Sequence, residues 1–328
     1  MQIILFDDST RQNLLPLTFT RPVADLRVGI LTIKEKWEAL TNLPCSFLTE
    51  DYLQEKFKAD FGSENFYING SVLPSQALWD SIQELENEEL ITVGEIILVR
   101  RSESKLSLAD LKEKNGVSST ELEVTRITAT HDIFTYNDAE IRKDFDLITK
   151  GRKSANPSDT NIIIGKDYFI EEGATIEAAT INTSTGPVYV GKEANILEGS
   201  LIRGPFALCN KATIKLGAKI YGATTVGPNC KVGGEISNVV FHSFSNKGHD
   251  GFLGNSVIGQ WCNLGADTNS SNLKNNYAPV KLWNYNSKRF LNTGLQFCGL
   301  IMGDHSKCGI NTMFNTGTVV GVSANIFG

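Results

Sequence analysis

Between residues 190 and 232 an aliphatic side chain falls at every sixth position without a miss: Val190, Ile196, Ile202, Leu208, Ile214, Ile220, Val226 and Val232. Up to residue 230 the position four further on is small at Ala194, Ser200, Ala212, Ala218, Thr224 and Cys230, with Phe206 the one bulky member. A helix would repeat every ~3.6 residues and a half-buried strand every two, so this stretch is neither. Period six belongs to a coil of short strands. The aliphatic residue points inward, the small one lets the backbone turn a corner, and three hexads close a turn. Turns then stack at roughly the 4.8 Å spacing of paired strands. The stretch reads as the regular part of a parallel β-helix.

The rhythm is expected to begin at Ile164, Ile170 and Ile176. It resumes at Ile258 and Leu264, and again at Met302, Cys308, Phe314, Val320 and Ile326. The gaps 176–190, 232–258 and 264–302 each exceed a multiple of six by two, which reads as insertions. Insertions on a repeat scaffold project as loops, and loops on a rigid scaffold commonly carry sites. Gly328 follows an inward position by two residues with no cap, and an open coil end exposes unpaired strand edges. More chain, or a partner covering that end, is expected there.

GRKSANPSD (151–159) has the composition of a linker. It separates an α/β domain (1–152) from the coil (153–328). In the first, Gln2–Phe6, Phe66–Asn69 and Ile96–Val99 read as strands. Thr32 and Glu35 stand at capping-box spacing ahead of a helix to Leu40. Ser75 caps a helix running to about Leu90, with Leu78, Ile82 and Leu85 on one face. Asn137 with Glu140 starts another, striped by Ile141, Phe145 and Ile148 and ended by Gly151. Residues 103–125 are charged and read as surface.

A length of 328 residues suits two domains. No apolar run is long enough to span a membrane, and Met1-Gln2-Ile3 opens a strand rather than a signal peptide. The six cysteines show no C-x-x-C pair, and Cys230, Cys262 and Cys308 read as small buried residues of the repeat. A cytoplasmic, reduced, metal-independent protein is expected. Residues 1–150 carry 26 acidic and 16 basic side chains, whereas residues 151–328 carry 11 and 15, so an anionic ligand is drawn to the second half. No clustered basic face suggests nucleic acid.

The breaks hold FHSFSNKGHDGFLG (241–254) and NLGADTNSSNLKNNYAPVKLWNYNSKRF (263–290). They bring Lys247, His249, Asn263, Asn272, Lys274, Lys288 and Arg289 onto or beside loops of one coil. Cations neutralise phosphate, amides pair with sugar hydroxyls, and a histidine suits general-base work. The plain alternative is a surface turn residue for His249 and a solvated loop for the cations. His242 and His305 read as structural.

SNKGHDGFLGNSVIGQWCNLGADTNSSNLKNN (245–276) resembles the acetyltransferase site of the bifunctional N-acetylglucosamine-1-phosphate uridyltransferase / glucosamine-1-phosphate N-acetyltransferase family. The resemblance implies a left-handed β-helix of hexapeptide repeats, with His249 as catalytic base and Asn263 and Asn272 on the sugar phosphate. Lys247, Phe252, Lys274 and Arg289 join them as substrate-binding candidates, and Gly265 and Ala266 as acetyl-CoA contacts. Phe252 replaces the family's tyrosine and Asp267 a glycine. The family's upstream basic residues have no counterpart, since Tyr221 and 239–242 stand there. The inserted segment 273–296 is also longer than usual. The partners implied are an amino-sugar phosphate, acetyl-CoA and two further copies in a homotrimer.

That family opens with a nucleotidyltransferase domain. Here ILFDDSTRQNLLPLTFTRP (4–22) lacks both loop glycines and sets Asp7 and Asp8 where phosphate would lie. Glycines admit backbone N–H groups to phosphate, whereas carboxylates repel it. In YINGSVLPS (67–75) Ser71 replaces the metal-binding aspartate. Arg11, Arg21, Asn69 and Gly70 remain as nucleotide-binding candidates, and Mg would enter only if this shortened domain is active. Three readings stand: amino-sugar-phosphate N-acetyltransferase, sugar-1-phosphate nucleotidyltransferase with a trimerising coil, and non-catalytic trimeric scaffold or sensor.

Overall fold

The computed structural model describes residues 1–112, 117–119 and 123–327, with 117–119 by backbone alone. Part of the segment read as surface (113–116 and 120–122) and Gly328 lie outside the described residues. The chain divides into two compact units: residues 1–14, 20–26 and 31–129, and residues 15–19, 27–30 and 130–328.

The first unit is a six-stranded mixed sheet in the order β2-β1-β3-β5-β4-β6. β1 (Gln2–Phe6) runs parallel to β2 (Cys45–Leu48) and to β3 (Asn65–Asn69). β5 (Ile96–Ser102) is antiparallel to β3 and to β4 (Leu90–Val93), and β6 (Val117–Ser119) returns parallel to β4. Ile3, Ile4, Leu5 and Phe6 are all buried, as a central parallel strand requires. α1 (Ile33–Thr41) carries the full Thr32–Glu35 capping box, and Trp37 beneath it donates to the Val72 carbonyl. α2 (Asp51–Gln54) is a single turn. α3 (Gln76–Gln83) is capped by Ser75 but stops well short of Leu90, because the chain must turn into β4. Leu111 is buried and Leu106 and Leu108 pack on the same cluster, so the 103–112 stretch is not all surface.

The second unit holds α4 (Asp132–Thr135), α5 (Asn137–Thr149) and the parallel β-helix. α5 has no capping box. Its first residue, Asn137, is buried and accepts instead from the Gly29 N–H, while Asp144 accepts from the Ile30 N–H. The helix thereby holds the short segment 27–30, whose Gly29 carbonyl receives the Thr225 hydroxyl.

The coil has three faces, and the third is an eight-stranded parallel sheet, one strand per turn. On the second face Val190, Leu208, Val226, Phe241, Ile258, Met302 and Val320 form one inward column. On the third, Ile176, Ile196, Ile214, Val232 and Lys247 form another. The aliphatic rows and the small positions Ala194, Ser200, Ala212, Ala218 and Cys230 are all buried. Phe206 fits at 0 % exposure between Val188 and Thr224.

Two expectations about phase are corrected. The first inward residue is Ile163, aligned with Ile181, and Ile164 faces out. The break 232–258 is no insertion. Two nine-residue strands, Glu235–Ser243 and Phe252–Gln260, run side by side through a corner that the regular turns bend at a small residue. Inward side chains there follow at shorter steps (Val232, Ile236, Phe241), which shifts the period while the coil continues. The gap 264–302 does hold an insertion, projecting as a hairpin of Lys281–Asn284 and Arg289–Asn292.

Candidate active site

His249 lies on the corner Gly248-His249-Asp250-Gly251, between the third and first faces of the coil. Its side chain is exposed and opens onto a cavity of about 580 Å³. The cavity is lined by the same corner on successive turns: Lys215 and Leu216, Gly233 and Gly234, Gly248 to Asp250, and Ala266 with Asp267. Glycines line this corner. Gly234 has φ +79°, and a Cβ there would lie 2.6 Å from the Gly251 carbonyl oxygen and 3.0 Å from that of His249, so glycine lets the turns stack closely. At Gly248 a Cβ would meet nothing within 4 Å. Two carboxylates, one ammonium and one imidazole therefore face a shared space. Carboxylates beside an imidazole favour a cationic amine over phosphate.

Of the residues expected to accompany His249, the structure brings Ala266 into this cavity and sets the others elsewhere. Gly265 is packed against the next turn, its Cβ position 2.4 Å from the Gly309 carbonyl oxygen. Asn263 is exposed on the outer row of the third face, between Asn246 and Lys307. Phe252 begins the next long strand, where its N–H donates to the Asn269 side chain at 2.8 Å. Asn272 donates its amide to Asn255 Oδ1 at 2.9 Å, and Asn255 in turn donates to Asn238 once the Asn238 amide is oriented for its neighbours. This is an asparagine ladder at equal spacing, a packing role the sugar-phosphate assignment did not anticipate. Lys274 donates to the Pro279 carbonyl within its own loop, and Lys288 and Arg289 are exposed on the hairpin.

Lys247 is corrected outright as a substrate contact. It occupies an inward position and is 0 % exposed, with Nζ donating to the carbonyls of His249 (2.8 Å) and Asp250 (3.0 Å). Burial pushes its ammonium down to about 8, against the pull of Asp250 and Asp267. His242 bonds Ser243 and accepts from Arg27, and His305 stacks on Trp261, so both are structural as read. Lys215 and Asp250 escaped the sequence reading, although Lys215 stands three hexads before Gly233 and its corner was countable.

In the first unit a cavity of about 260 Å³ opens at the end of β1, lined by Asp7, Asp8, Ser9, Glu95 and Lys112 with apolar neighbours. The nucleotide-binding candidates do not serve it as expected. Arg11 is 2 % exposed and donates to Asp7, to the Arg21 carbonyl and to the Tyr52 hydroxyl. Arg21 is buried and paired with Asp25 at 2.9 Å. Gly70 lies in close backbone packing, its Cβ position 3.2 Å from the Phe6 carbonyl oxygen, and Asn69 is 1 % exposed. Asp8 accepts from Asn69 and pairs with Arg126, which also donates to Ser71 and Thr10. Burial raises the Asp7 carboxyl to about 6, while Thr49, Val23 and Arg11 pull it down. With Asp7 bonded inward, Asp8 paired and Ser71 in the place of an aspartate, these residues do not fit the two-carboxylate magnesium arrangement.

Residues 3–153 match the family model described as sugar nucleotidyl transferase. Parts of the chain are similar to curated proteins, one of them named for both a nucleotidylyltransferase and an acetyltransferase. The chain is 31% identical to the bifunctional sugar-1-phosphate nucleotidylyltransferase/acetyltransferase of Sulfurisphaera tokodaii over 60% of this chain and 55% of that one. It is 23% identical to the bifunctional protein GlmU of Synechococcus elongatus over 78% of this chain and 52% of that one. An uncharacterized acetyltransferase of Escherichia coli, YaiX, is 26% identical over 50% of this chain and 67% of its own. The matched region thus spans about half the length of the two bifunctional relatives.

Proposed function

We propose that the protein is an acetyl-CoA-dependent N-acetyltransferase acting on an amino-sugar phosphate, glucosamine 1-phosphate first among them, with His249 as general base. One observation carries this reading: an exposed histidine at a glycine-lined corner cavity that Asp250, Asp267 and Lys215 also line. The carboxylates hold the acceptor's ammonium, which first gives up one proton to solvent to become the free amine. His249 removes a proton from the amine, the nitrogen attacks the thioester carbonyl, and collapse of the tetrahedral intermediate breaks the C–S bond. The protonated imidazole then returns the proton to the leaving thiolate. Ala266 on the cavity wall suits the acetyl-CoA side. A cytoplasmic homotrimer goes with this reading.

Nucleotidyl transfer by the first unit is the second reading, supported by the family match and the cavity at the end of β1. The test gives the protein glucosamine 1-phosphate with acetyl-CoA, and separately N-acetylglucosamine 1-phosphate with UTP and Mg²⁺. Thiol release that disappears in His249→Ala supports the first reading. Pyrophosphate release without thiol release overturns it in favour of the second, and neither product from folded protein favours a scaffold.

A further inference from the structure

At four corners the hydroxyl at the small position donates to the carbonyl three residues back: Ser200 to Leu197 (2.7 Å), Thr224 to Tyr221 (3.0 Å), Thr268 to Gly265 (2.7 Å) and Thr312 to Gly309 (2.9 Å). The alanine corners at 194, 212 and 218 have no such bond, and the corner that carries His249 is held in a third way. At this corner the equivalent residue is Gly251, which has no hydroxyl. It sits at φ +112° with its Cβ position 2.2 Å from the Thr268 carbonyl oxygen, so a serine or threonine cannot replace it without strain. The bonds come instead from inside the coil, where Lys247 follows Val232 in the inward column and its Nζ reaches the carbonyls of His249 and Asp250. An aliphatic residue would continue that column, and a buried ammonium costs stability that an apolar side chain would not.

We infer that Lys247 is the positioning residue of this site: its ammonium fixes the backbone of residues 249 and 250 from beneath, and so fixes the imidazole against the substrate cavity. This rests on the acetyltransferase reading of His249. The charged or titratable groups bearing on the ammonium are Asp250 on its own corner, Asp267 on the next turn and Cys308 on the turn beyond. Charge strengthens both hydrogen bonds, so the hold is firm while Lys247 is protonated and loosens as it titrates. Displacement of a catalytic group by about 1 Å is enough to lower turnover about a hundredfold.

The test is Lys247→Met, near in volume and able to lie in the apolar column, beside Lys247→Arg. Turnover in thiol release is expected to fall between about tenfold and a hundredfold in Lys247→Met, with KM for acetyl-CoA within about twofold. The melting temperature should be equal or higher, and Lys247→Arg should regain part of the turnover. The wild-type to Lys247→Met ratio of kcat should shrink toward one as pH rises from 7 to 9.5, a ratio in which the acceptor's own ionisation cancels. Unchanged turnover, a pH-independent ratio, or a fall in melting temperature that accounts for the loss would overturn the inference. A second readout needs no activity. Amide hydrogen exchange over 249–252, corrected for its intrinsic rate, should be at least about tenfold faster in Lys247→Met at pH 7, which is the factor expected of a weakened local hold. Identical exchange overturns the role of Lys247. Wild-type inactivity toward amino-sugar phosphates instead sinks the acetyltransferase reading and leaves the exchange result to decide the lysine.

Discussion

The two cavities differ in what their polar side chains already do. At the end of β1 the groups that would meet a nucleotide are occupied by the protein. Arg11 and Arg21 are buried against Asp7 and Asp25, and Asp8 is tied to Asn69 and Arg126. At the coil corner the relation is reversed. Glycines line the space, the buried Lys247 braces the backbone from behind, and His249 is exposed. A group bonded on every side by its own chain has little left to offer a ligand, whereas an exposed imidazole over a hollow has a proton to exchange. The comparison favours the second unit as the place of the proposed acetyl transfer.

The contrast is sharpest at His249. His249→Ala should lower kcat/KM for acetyl transfer by about a hundredfold to ten-thousandfold, the usual range for a general base. A loss below about threefold, measured by thiol release, would remove the histidine from the mechanism. Next in size is the scaffold. Ile214 is 0 % exposed in a regular hexad, and Ile214→Ala should cost about 2–5 kcal/mol in denaturant unfolding. The residual folded protein should retain its turnover, because the Ile214 side chain points into the coil rather than into the cavity; turnover lost in step with stability would break that separation.

In the first unit the buried Asp7 gives a pH signature. Its folded pKa of about 6 lies above the usual carboxylate value of 3.8, so the folded state holds the extra proton between those two values. Stability from this group is greatest below that window and is lost as pH rises through 6, by about 3 kcal/mol in all. Asp7→Asn keeps an acceptor for the Val23 N–H and should flatten the decline, read as urea unfolding at pH 4 and pH 7. An unchanged slope would contradict the burial argument. The smallest expected effect is that of Asp267→Gly, which removes one carboxylate from the His249 cavity. KM for the amine should rise about twofold to fivefold, as for loss of one exposed charge contact, with kcat nearly unchanged. A lower KM would mean that the carboxylate repels the acceptor.

The coil was legible because its period is set by one repeated choice, an aliphatic residue inward and a small one at the corner. The α1 capping box and the Ser75 cap were legible for the same reason, since each is a local bond between near neighbours. Asn137 shows where this fails. It stands at capping-box spacing from Glu140, yet its side chain is taken by Gly29, a partner far away in sequence. The 232–258 break likewise looked like an insertion. Spacing records a change of phase but not its cause, and here a smoothed corner moved the inward residues closer along the chain. At the site, the position of His249 could be counted from the repeat. The direction of Lys247 could not, because a lysine beside a histidine reads as a surface cation until the register places it inside.

One measurement bears most directly on where the chemistry lies: thiol release from acetyl-CoA with glucosamine 1-phosphate, compared among wild type, His249→Ala and Arg126→Ala. The second-unit site predicts release in the wild type, its loss in His249→Ala, and a rate within about twofold of wild type in Arg126→Ala, whose side chain bonds only first-unit residues among the bonds described. Full activity in His249→Ala, with loss in Arg126→Ala, would contradict it.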